Sequence, residues 1–302
     1  RINPIAAGVS PARISSTKSS SRVVASVATG VVIGSEGAKD AAPMLGLGER
    51  VGNGAGPRVD VAVDPVDGTR AVAADQPGAV AALAAGERAA MAALAGIVYM
   101  KKLVVPAPAA DALGDGSIVL DMPTAALLRR VAQALGREVS SLRVAILDRP
   151  RNHGYAEAVA ECGAERVTLR YADLPAAVAV AMGATEIDML LGIGGAPEAI
   201  LAGAAVACLG GALLCRPWIR DDRERARICA AGSEPDAVYD SDSLVGAGAV
   251  AMAVSGVTDS VAVPGCSGTG EAASVHTIAM SRGADGARQR RLYSCSRPPL
   301  TA

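Results

Sequence analysis

The pattern of apolar and polar residues predicts short strands in the first half of the chain. Residues 59–63 alternate and are rich in β-branched side chains, which is typical of a buried strand. Pro65 and Gly68 follow, and they predict that this strand ends in a turn. Further strands are predicted at residues 31–33, 80–85 and 89–98, and a loop with a short strand at residues 114–123. The segments 80–85 and 89–98 are predicted to pair, although their alanines also permit helix.

From residue 124 onward the pattern switches between helical and strand spacing. Helices are predicted at residues 124–135, 155–162 and 174–182, and strands at residues 144–147, 166–169 and 188–191. Thr124 is predicted as the N-cap of the first of these helices. The alternation is typical of an α/β unit, so we predict a layered α/β fold with an α+β N-terminal part. We place a boundary near residue 123, between domains 31–123 and 124–302.

The longest apolar stretch, residues 199–215, allows two interpretations. Its length approaches that of a membrane-spanning helix, but Gly203 and the pair Gly210-Gly211 interrupt it and Glu198 precedes it. We favour a buried helix that has Pro197 and Glu198 in its first turn and runs into a Gly-Gly turn and a strand.

A hexapeptide after the first predicted strand, DPVDGT at residues 64–69, carries the most specific chemistry. It places Asp64 and Asp67 beside Thr69, and hard carboxylate oxygens on a turn suit Mg²⁺ or Mn²⁺ together with phosphate oxygens. If a helix starts there, its first backbone N–H groups face a phosphate. An ordinary acidic turn is the alternative, and these residues by themselves do not decide between the two.

Composition narrows the possible classes of function. Hydrophobic residues make up 51% of the chain, but with no Phe and one Trp the core must be built from Ala, Val, Leu, Ile and Met. The net charge of −1, without a basic stripe and interleaved aromatic residues, argues against nucleic-acid binding. The six cysteines lack metal-binding spacing, and Cys208 and Cys215 have apolar neighbours, so a reducing compartment is the simpler interpretation.

Residues 1–30 differ in composition from the rest of the chain. They carry four basic residues, many serines and no acidic residue. This composition is typical of an organellar transit segment or a disordered tail, and it also fits the product of a damaged 5′ region. We predict a poorly structured segment and leave its origin open.

Six motifs follow one another between residues 36 and 198. They are EGAKDAAPML at 36–45, VAVDPVDGTR at 61–70, QPG at 76–78, YMKKL at 99–103, DRPR at 148–151 and GIGGAPE at 192–198, with weaker matches at 254–259 and 288–293. In this order they resemble the class II fructose-1,6-bisphosphatase family, including its cyanobacterial branch that also acts on sedoheptulose 1,7-bisphosphate. DPVDGT alone is shared with the wider lithium-sensitive phosphatase superfamily.

The resemblance implies an activity and a setting. The activity is metal-dependent hydrolysis of the 1-phosphate of fructose 1,6-bisphosphate, with sedoheptulose 1,7-bisphosphate as a further substrate, in gluconeogenesis or the Calvin cycle. The implied fold is the layered α-β-α-β-α arrangement of the lithium-sensitive phosphatase superfamily, and the implied cofactor is Mg²⁺ or Mn²⁺. We expect a homo-oligomer (dimer or tetramer) without nucleic-acid or membrane partners, in the cytoplasm or, as the alternative, the plastid stroma.

The resemblance also implies roles for individual residues. The implied metal ligands are Glu36, Asp64, Asp67 and Glu198. Thr69 would orient the attacking water, and Asp40 would handle its proton. The implied substrate contacts are Asp67, Gly68, Thr69, Tyr99, Arg149, Pro150, Arg151, Asp173 and Gly195. Phosphoryl transfer needs positioning and charge neutralisation, which metals and bidentate arginines supply.

Most of these residues also have a purely structural interpretation. The alternatives are helix capping for Thr69 and Asp173, a helix-dipole partner for Glu198, a solvated basic turn for Arg149 and Arg151, and packing for Tyr99. His153 and His276 have no partners at metal-binding spacing, and we predict structural roles for both.

Departures from the family pattern predict a weakened metal site. Residues 1–30 contain no segment of the type GxGxKxxAD, whose Asp is a further ligand in the family. Ala38 and Ala41 stand where the family metal loop has glutamates, and Tyr171 replaces an aspartate of the sugar loop. Three hypotheses remain: an active bisphosphatase, a catalytically weakened paralogue that binds sugar phosphates, and an inositol-monophosphatase-like enzyme.

Overall fold

Strands and helices alternate along the chain in the computed structural model, which describes residues 29–35, 46–54, 56–114, 116–183, 187–268 and 273–296. The strands are β1 (Thr29–Ser35), β2 (Arg50–Gly52), β3 (Arg58–Asp67), β4 (Val80–Glu87), β5 (Tyr99–Val105), β6 (Arg143–Leu147), β7 (Glu165–Leu169), β8 (Met189–Gly195), β9 (Ala212–Pro217), β10 (Tyr239–Asp240), β11 (Val250–Gly256), β12 (Ser274–Arg282) and β13 (Arg288–Ser296). The helices are α1 (Thr69–Ala73), α2 (Gly116–Asp121), α3 (Thr124–Ala134), α4 (His153–Glu161), α5 (Leu174–Met182), α6 (Ala196–Leu209), α7 (Asp222–Ala230) and α8 (Ser241–Val245). Short 3₁₀ helices cover Ala107–Leu113, Val139–Ser141 and Pro150–Asn152.

The strands form two sheets. The first sheet has the order β13-β12-β11-β4-β3-β1-β2, and the second has the order β10-β9-β5-β8-β6-β7. In the second sheet β6 pairs in parallel with β7 and β8, as βαβ connections require. In the first sheet β3 pairs in parallel with β1 and antiparallel with β4. The predicted mixed α/β class is therefore confirmed.

Helices α5 and α6 lie between the two sheets. Both consist almost wholly of buried residues, and one hydrophobic core joins them to Ala62 and Val254 of the first sheet and Met100 of the second. Many of these helical residues are alanines, whose small side chains allow close packing without Phe. The apolar stretch at residues 199–215 is thus a buried helix followed by a strand, as we favoured. In the described ranges, no helix is both long and apolar enough to cross a membrane.

A second hydrophobic core covers the other face of the second sheet. Helices α2, α3 and α4 pack there against residues such as Leu103, Val144 and Leu191. Alternation along β5 explains the division, because Leu103 belongs to this core while Met100 and Val104 belong to the core around α5 and α6. The described layers therefore run sheet, helix, sheet, helix.

A prediction about the DPVDGT strand is wrong in part, and a prediction about a neighbouring segment is wrong. The strand ends in a turn at Gly68, as predicted, but it does not stop at Pro65, because a shift in its register with β4 accommodates the proline and β3 continues to Asp67. Residues 89–98 form no strand, because β3 and β11 already occupy both edges of β4.

Two further local predictions, near residue 120, are also wrong. Residues 116–121 form a helix, which buries the consecutive residues Val119 and Leu120 while Ile118 is exposed, and a strand would alternate. Thr124 is the first residue of α3, and Pro123 rather than Thr124 is its N-cap residue.

The remaining predicted strands and helices are confirmed to within a few residues at their ends. The chain passes from the first sheet to the second at β5 and returns to the first at β11. The domain boundary near residue 123 stays a prediction. Residues 1–28 lie outside the described part of the chain.

Candidate metal centre

Three buried carboxylates converge where the first sheet meets helix α6. Asp64 and Asp67 come from β3, and Glu198 comes from the first turn of α6. All three side chains are buried, and one oxygen of each lies within 4.8 Å of the others. Folding therefore brings together acidic residues that are more than 130 positions apart in the chain.

A bulge in β3 turns the two aspartates toward the same side. On a regular strand, residues three positions apart point to opposite faces of the sheet. Asp64 pairs with Ala82 and Asp67 with Val80, so β3 contains one extra residue between these two pairs. The Val66 N–H donates to Asp64 Oδ1 at 3.0 Å within this bulge.

The lack of a side chain at Gly195 makes room for Glu198. Gly195 is the N-cap residue of α6, and a Cβ at this position would lie 2.6 Å from Glu198 Cδ, far inside normal contact distance. Glu198 also lies in the first turn, where the helix dipole favours a negative charge. Glu198 can therefore interact with the helix dipole and serve as a metal ligand at the same time.

Gly195→Ala is expected to weaken Mn²⁺ binding roughly 10- to 100-fold, because the added methyl group displaces the carboxylate of Glu198. Isothermal titration of the metal-free protein with Mn²⁺ measures the change. Gly154→Ala is the matched control, since a Cβ at this exposed position in α4 meets no atom within 4 Å. Equal Mn²⁺ affinity in the two variants would contradict the placement of Glu198 in the site.

The carboxylate cluster holds more negative charge than its surroundings balance. Burial raises the pKa of Asp67 well above its ordinary value, and the carboxylates of Asp64 and Glu198 add to the effect. Among the described residues, no hydrogen-bond donor reaches the buried oxygens Asp67 Oδ2 and Glu198 Oε2. Buried acceptors of this kind are costly unless a cation or proton meets them. The donor set therefore fits a hard divalent cation such as Mg²⁺ or Mn²⁺.

A buried ion pair borders the three carboxylates. Lys102 Nζ lies 2.6 Å from Asp173 Oδ2 and donates to the Gly195 carbonyl at 3.4 Å. Burial by itself would lower the pKa of Lys102, but the carboxylates of Asp173 and Glu198 outweigh it and hold that pKa above its ordinary value. Asp173 is the N-cap residue of α5, as the capping interpretation places it, but its side chain makes no cap hydrogen bond and pairs with Lys102 instead.

The turn after β3 leads directly into helix α1. Gly68 has a φ of 95°, and a Cβ there would lie 3.1 Å from the Gly78 carbonyl oxygen, so the turn requires glycine. Thr69 is exposed and is the first residue of α1. Gly68 is the N-cap residue, and the capping interpretation of Thr69 is therefore wrong. The role of Thr69 in orienting water stays a prediction.

Arg151 connects the acidic cluster with Tyr99. Its Nε donates to the Ile193 carbonyl at 3.0 Å, and its guanidinium lies 4.4 Å from the centre of the Tyr99 ring. Its charge also interacts with those of Asp173 and Glu198. Arg151 is thus fixed beside the carboxylates rather than part of a solvated turn.

Arg149 is anchored to the neighbouring loop. Its guanidinium donates to the carbonyl groups of Arg170, at 2.8 Å, and Tyr171, at 3.3 Å. These hydrogen bonds lie at the protein surface, so the solvated-turn interpretation remains an alternative for Arg149. Pro150, between the two arginines, is exposed, and contact of these residues with a sugar phosphate stays a prediction.

Tyr99 is half-buried and packs edge-on against Trp218, with the ring centres 6.2 Å apart. Packing therefore accounts for part of its environment, and its contact with substrate stays a prediction. Glu36 and Asp40 lie outside the described residues, so their predicted roles also stay predictions.

Two observations concern residues outside the predicted ligand set. In the ranges that the structure describes, only Asp64, Asp67 and Glu198 form a group of three or more possible ligands, so neither His153 nor His276 belongs to such a group. Sequence reasoning missed Lys102. The sequence feature that could have indicated a buried lysine is its place in an apolar strand, two positions from the core residues on either side.

An α/β fold with a buried carboxylate cluster at a junction of sheet and helix defines a protein suited to divalent cations and phosphate groups. The chain belongs to the family described as "Bacterial fructose-1,6-bisphosphatase, glpX-encoded", whose model matches residues 16–292. The family resemblance of the motifs is thereby confirmed.

Two relatives from Escherichia coli (strain K12) support this membership. The chain is 37% identical over 268 residues to "Fructose-1,6-bisphosphatase 2 class 2", covering 84% of this chain and 81% of the relative. It is 36% identical over 262 residues to "Fructose-1,6-bisphosphatase 1 class 2", covering 82% of this chain and 76% of the relative.

Proposed function

We propose that this protein hydrolyses the 1-phosphate of fructose 1,6-bisphosphate with the help of Mg²⁺ or Mn²⁺. The observation that carries the proposal is the convergence of the Asp64, Asp67 and Glu198 carboxylates within 4.8 Å, in a chain of this family. These three residues, with Glu36, would hold the metal. A divalent cation held by them would neutralise charge on the phosphoryl group and would lower the pKa of the attacking water.

The residues of the chain then position the substrate. Thr69 orients the water, and Asp40 takes up its proton. Arg149 and Arg151 hold the second phosphate, because guanidinium groups match phosphate oxygens in a bidentate geometry. Tyr99 lies against Arg151 and contacts the sugar. Gly195, where a side chain would collide with Glu198, lets substrate and carboxylate approach each other.

The proposal extends to properties beyond the reaction itself. Sedoheptulose 1,7-bisphosphate would be a further substrate, and the described layers would belong to the α-β-α-β-α superfamily fold. All six cysteines are free thiols, which supports a reducing compartment such as the cytoplasm. The predicted dimer or tetramer stays a prediction.

A weakened paralogue that binds sugar phosphates is the second candidate. It is favoured by Ala38 and Tyr171, where the family pattern has carboxylates. An inositol-monophosphatase-like activity is less well supported, because Arg149 and Arg151 suit a second phosphate.

Phosphate release distinguishes these candidates. With Mn²⁺, the purified protein is expected to hydrolyse fructose 1,6-bisphosphate roughly 10- to 100-fold faster than inositol 1-phosphate, because only the bisphosphate meets the arginines. EDTA should stop the reaction, and added Mn²⁺ should restore it. Absence of release from either compound would favour the weakened paralogue. Faster release from inositol 1-phosphate would contradict the bisphosphatase proposal.

A further inference from the structure

A second arginine approaches the ring that Arg151 covers. The guanidinium carbon of Arg220, which lies between β9 and α7, is 5.5 Å from the centre of the Tyr99 ring. The guanidinium carbon of Arg151 is 4.4 Å from the same centre. Because both distances are measured from the centre of the Tyr99 ring, the two guanidinium carbons lie no farther apart than the sum of these two distances. Two positive charges therefore lie beside one aromatic ring.

Glu224 holds Arg220 in this position. The Arg220 backbone N–H donates to Glu224 Oε2, and Arg220 Nε donates to Glu224 Oε1, each at 2.9 Å. Glu224 is itself buried in the first turn of α7, and its own N–H is bound by Asp221 at 2.8 Å. The hydrogen bonds from Arg220 lower the pKa of Glu224 to about 2, so the pair stays ionised at neutral pH.

The anchored arginine still has donors available for a ligand. Its side chain is 49% exposed, and a guanidinium group carries five N–H donors. Nε and Nη2 bond to Glu224, whereas no acceptor among the described residues bonds to Nη1. Since the side chain is already ordered, binding a ligand there costs little further conformational entropy.

We propose that Arg220 is a specificity-determining residue, which together with Arg151 binds the remote phosphate of the sugar bisphosphate, that is, the phosphate that is not hydrolysed. This inference rests on the proposed function. A phosphate dianion bound between the two arginines relieves their mutual repulsion. The carboxylate cluster repels the same dianion, so the site beside the arginines is favoured. Arg151 donates to the Ile193 carbonyl of β8, and the Glu198 carboxylate lies against Gly195 at the end of the same strand. Arg151 therefore lies toward the acidic cluster, and Arg220 adds a second cation on the same ring.

The competing explanation is that Arg220 only packs on Tyr99 and fixes the loop before α7. If Arg220 has only this structural role, its replacement would change the stability of the protein or would change the affinity for all substrates alike. A binding role changes the affinity for ligands that carry the remote phosphate and leaves the chemical step intact.

Affinity measurements on Arg220→Ala separate the two explanations. With Mn²⁺ present, the Kd for fructose 6-phosphate, by isothermal titration, and the KM for fructose 1,6-bisphosphate are expected to rise roughly 10- to 100-fold. The kcat should stay within about threefold, and kcat/KM for fructose 1-phosphate, which lacks the remote phosphate, should not change. Arg220→Lys should recover part of the affinity, because it keeps the charge and loses the fork of donors.

Arg225→Ala is the matched control. Arg225 lies in α7, is 46% exposed and pairs with Asp236, so it resembles Arg220 in exposure and pairing but carries no role in this proposal. Its variant should bind fructose 6-phosphate as the wild type does. Unchanged affinity in Arg220→Ala, or equal losses with all three sugar phosphates, would overturn the inference.

The outcomes also separate this inference from the proposed function. If the wild type releases no phosphate but Arg220→Ala still loses affinity for fructose 6-phosphate, the inference stands and the proposed function fails. If the wild type is active and Arg220→Ala matches it, the inference alone fails. A wild type that neither hydrolyses the bisphosphate nor binds fructose 6-phosphate overturns both.

Discussion

Asp64→Asn is expected to reduce Mn²⁺-dependent phosphate release from fructose 1,6-bisphosphate roughly 100- to 1000-fold. The amide keeps an acceptor oxygen for the Val66 N–H, and therefore the bulge in β3, but it removes a charge that the cation requires. Initial rates over a range of Mn²⁺ concentrations at saturating substrate measure the loss. Because the Asp64 carboxylate repels that of Asp67, the metal-free variant should unfold at no lower a temperature than the wild type.

Asp60→Asn is the matched control for this experiment. Asp60 lies on the same strand and is equally buried, but its carboxylate pairs with Arg88 and also accepts a hydrogen bond from the Met91 N–H. Its replacement should lower stability and leave the rate per folded molecule nearly unchanged. Similar loss of activity in both variants would mean that any lost charge on β3 disables the protein, and the metal hypothesis would lose its support.

Lys102→Met is expected to lower the free energy of unfolding by about 3–5 kcal/mol, because it leaves the buried carboxylate of Asp173 without its cation. Methionine preserves most of the length and volume of the side chain, so lost packing contributes little. Urea unfolding of the metal-free protein, followed by circular dichroism, measures the change.

The double variant Lys102→Met/Asp173→Asn tests whether the ion pair is the cause. Removal of both charges should restore most of the lost stability, because no unpaired buried charge remains at this position. Asp173→Asn alone shows the effect of the other partner. If the double variant is as unstable as Lys102→Met, the charge of Asp173 is not the source of the destabilisation, and the explanation from the ion pair is wrong.

Local patterns were reliable where one segment decides its own structure. The predicted helix at residues 174–182 coincides with α5, because its apolar run contains no glycine and its one proline, Pro175, lies in the first turn, where a helix tolerates it. The prediction of a strand at residues 89–98 was wrong because distant segments, and not the local sequence, decided the structure there. The alanines of residues 89–98 are compatible with several structures, and the edges of β4 were taken by strands from distant parts of the chain.

The site shows the same division. The DPVDGT and GIGGAPE motifs identified Asp64, Asp67 and Glu198 by residue type, and the family follows from such motifs in order. The contacts of Lys102 and Arg220 had no comparable signal, because the partners Asp173 and Tyr99 lie 71 and 121 positions away along the chain. Only the folded chain shows that both arginines share one ring.

By itself, the sequence determined the α/β class, most strands and helices, the family and the acidic residues, because these depend on local periodicity and on short motifs. The tertiary structure decided that the bulge in β3 aligns two aspartates, that α6 carries Glu198 to them and that Lys102 lies buried beside them. The physical reason is that sheet order and register bring together residues far apart in the chain, and the electrostatics of a site depends on those distances.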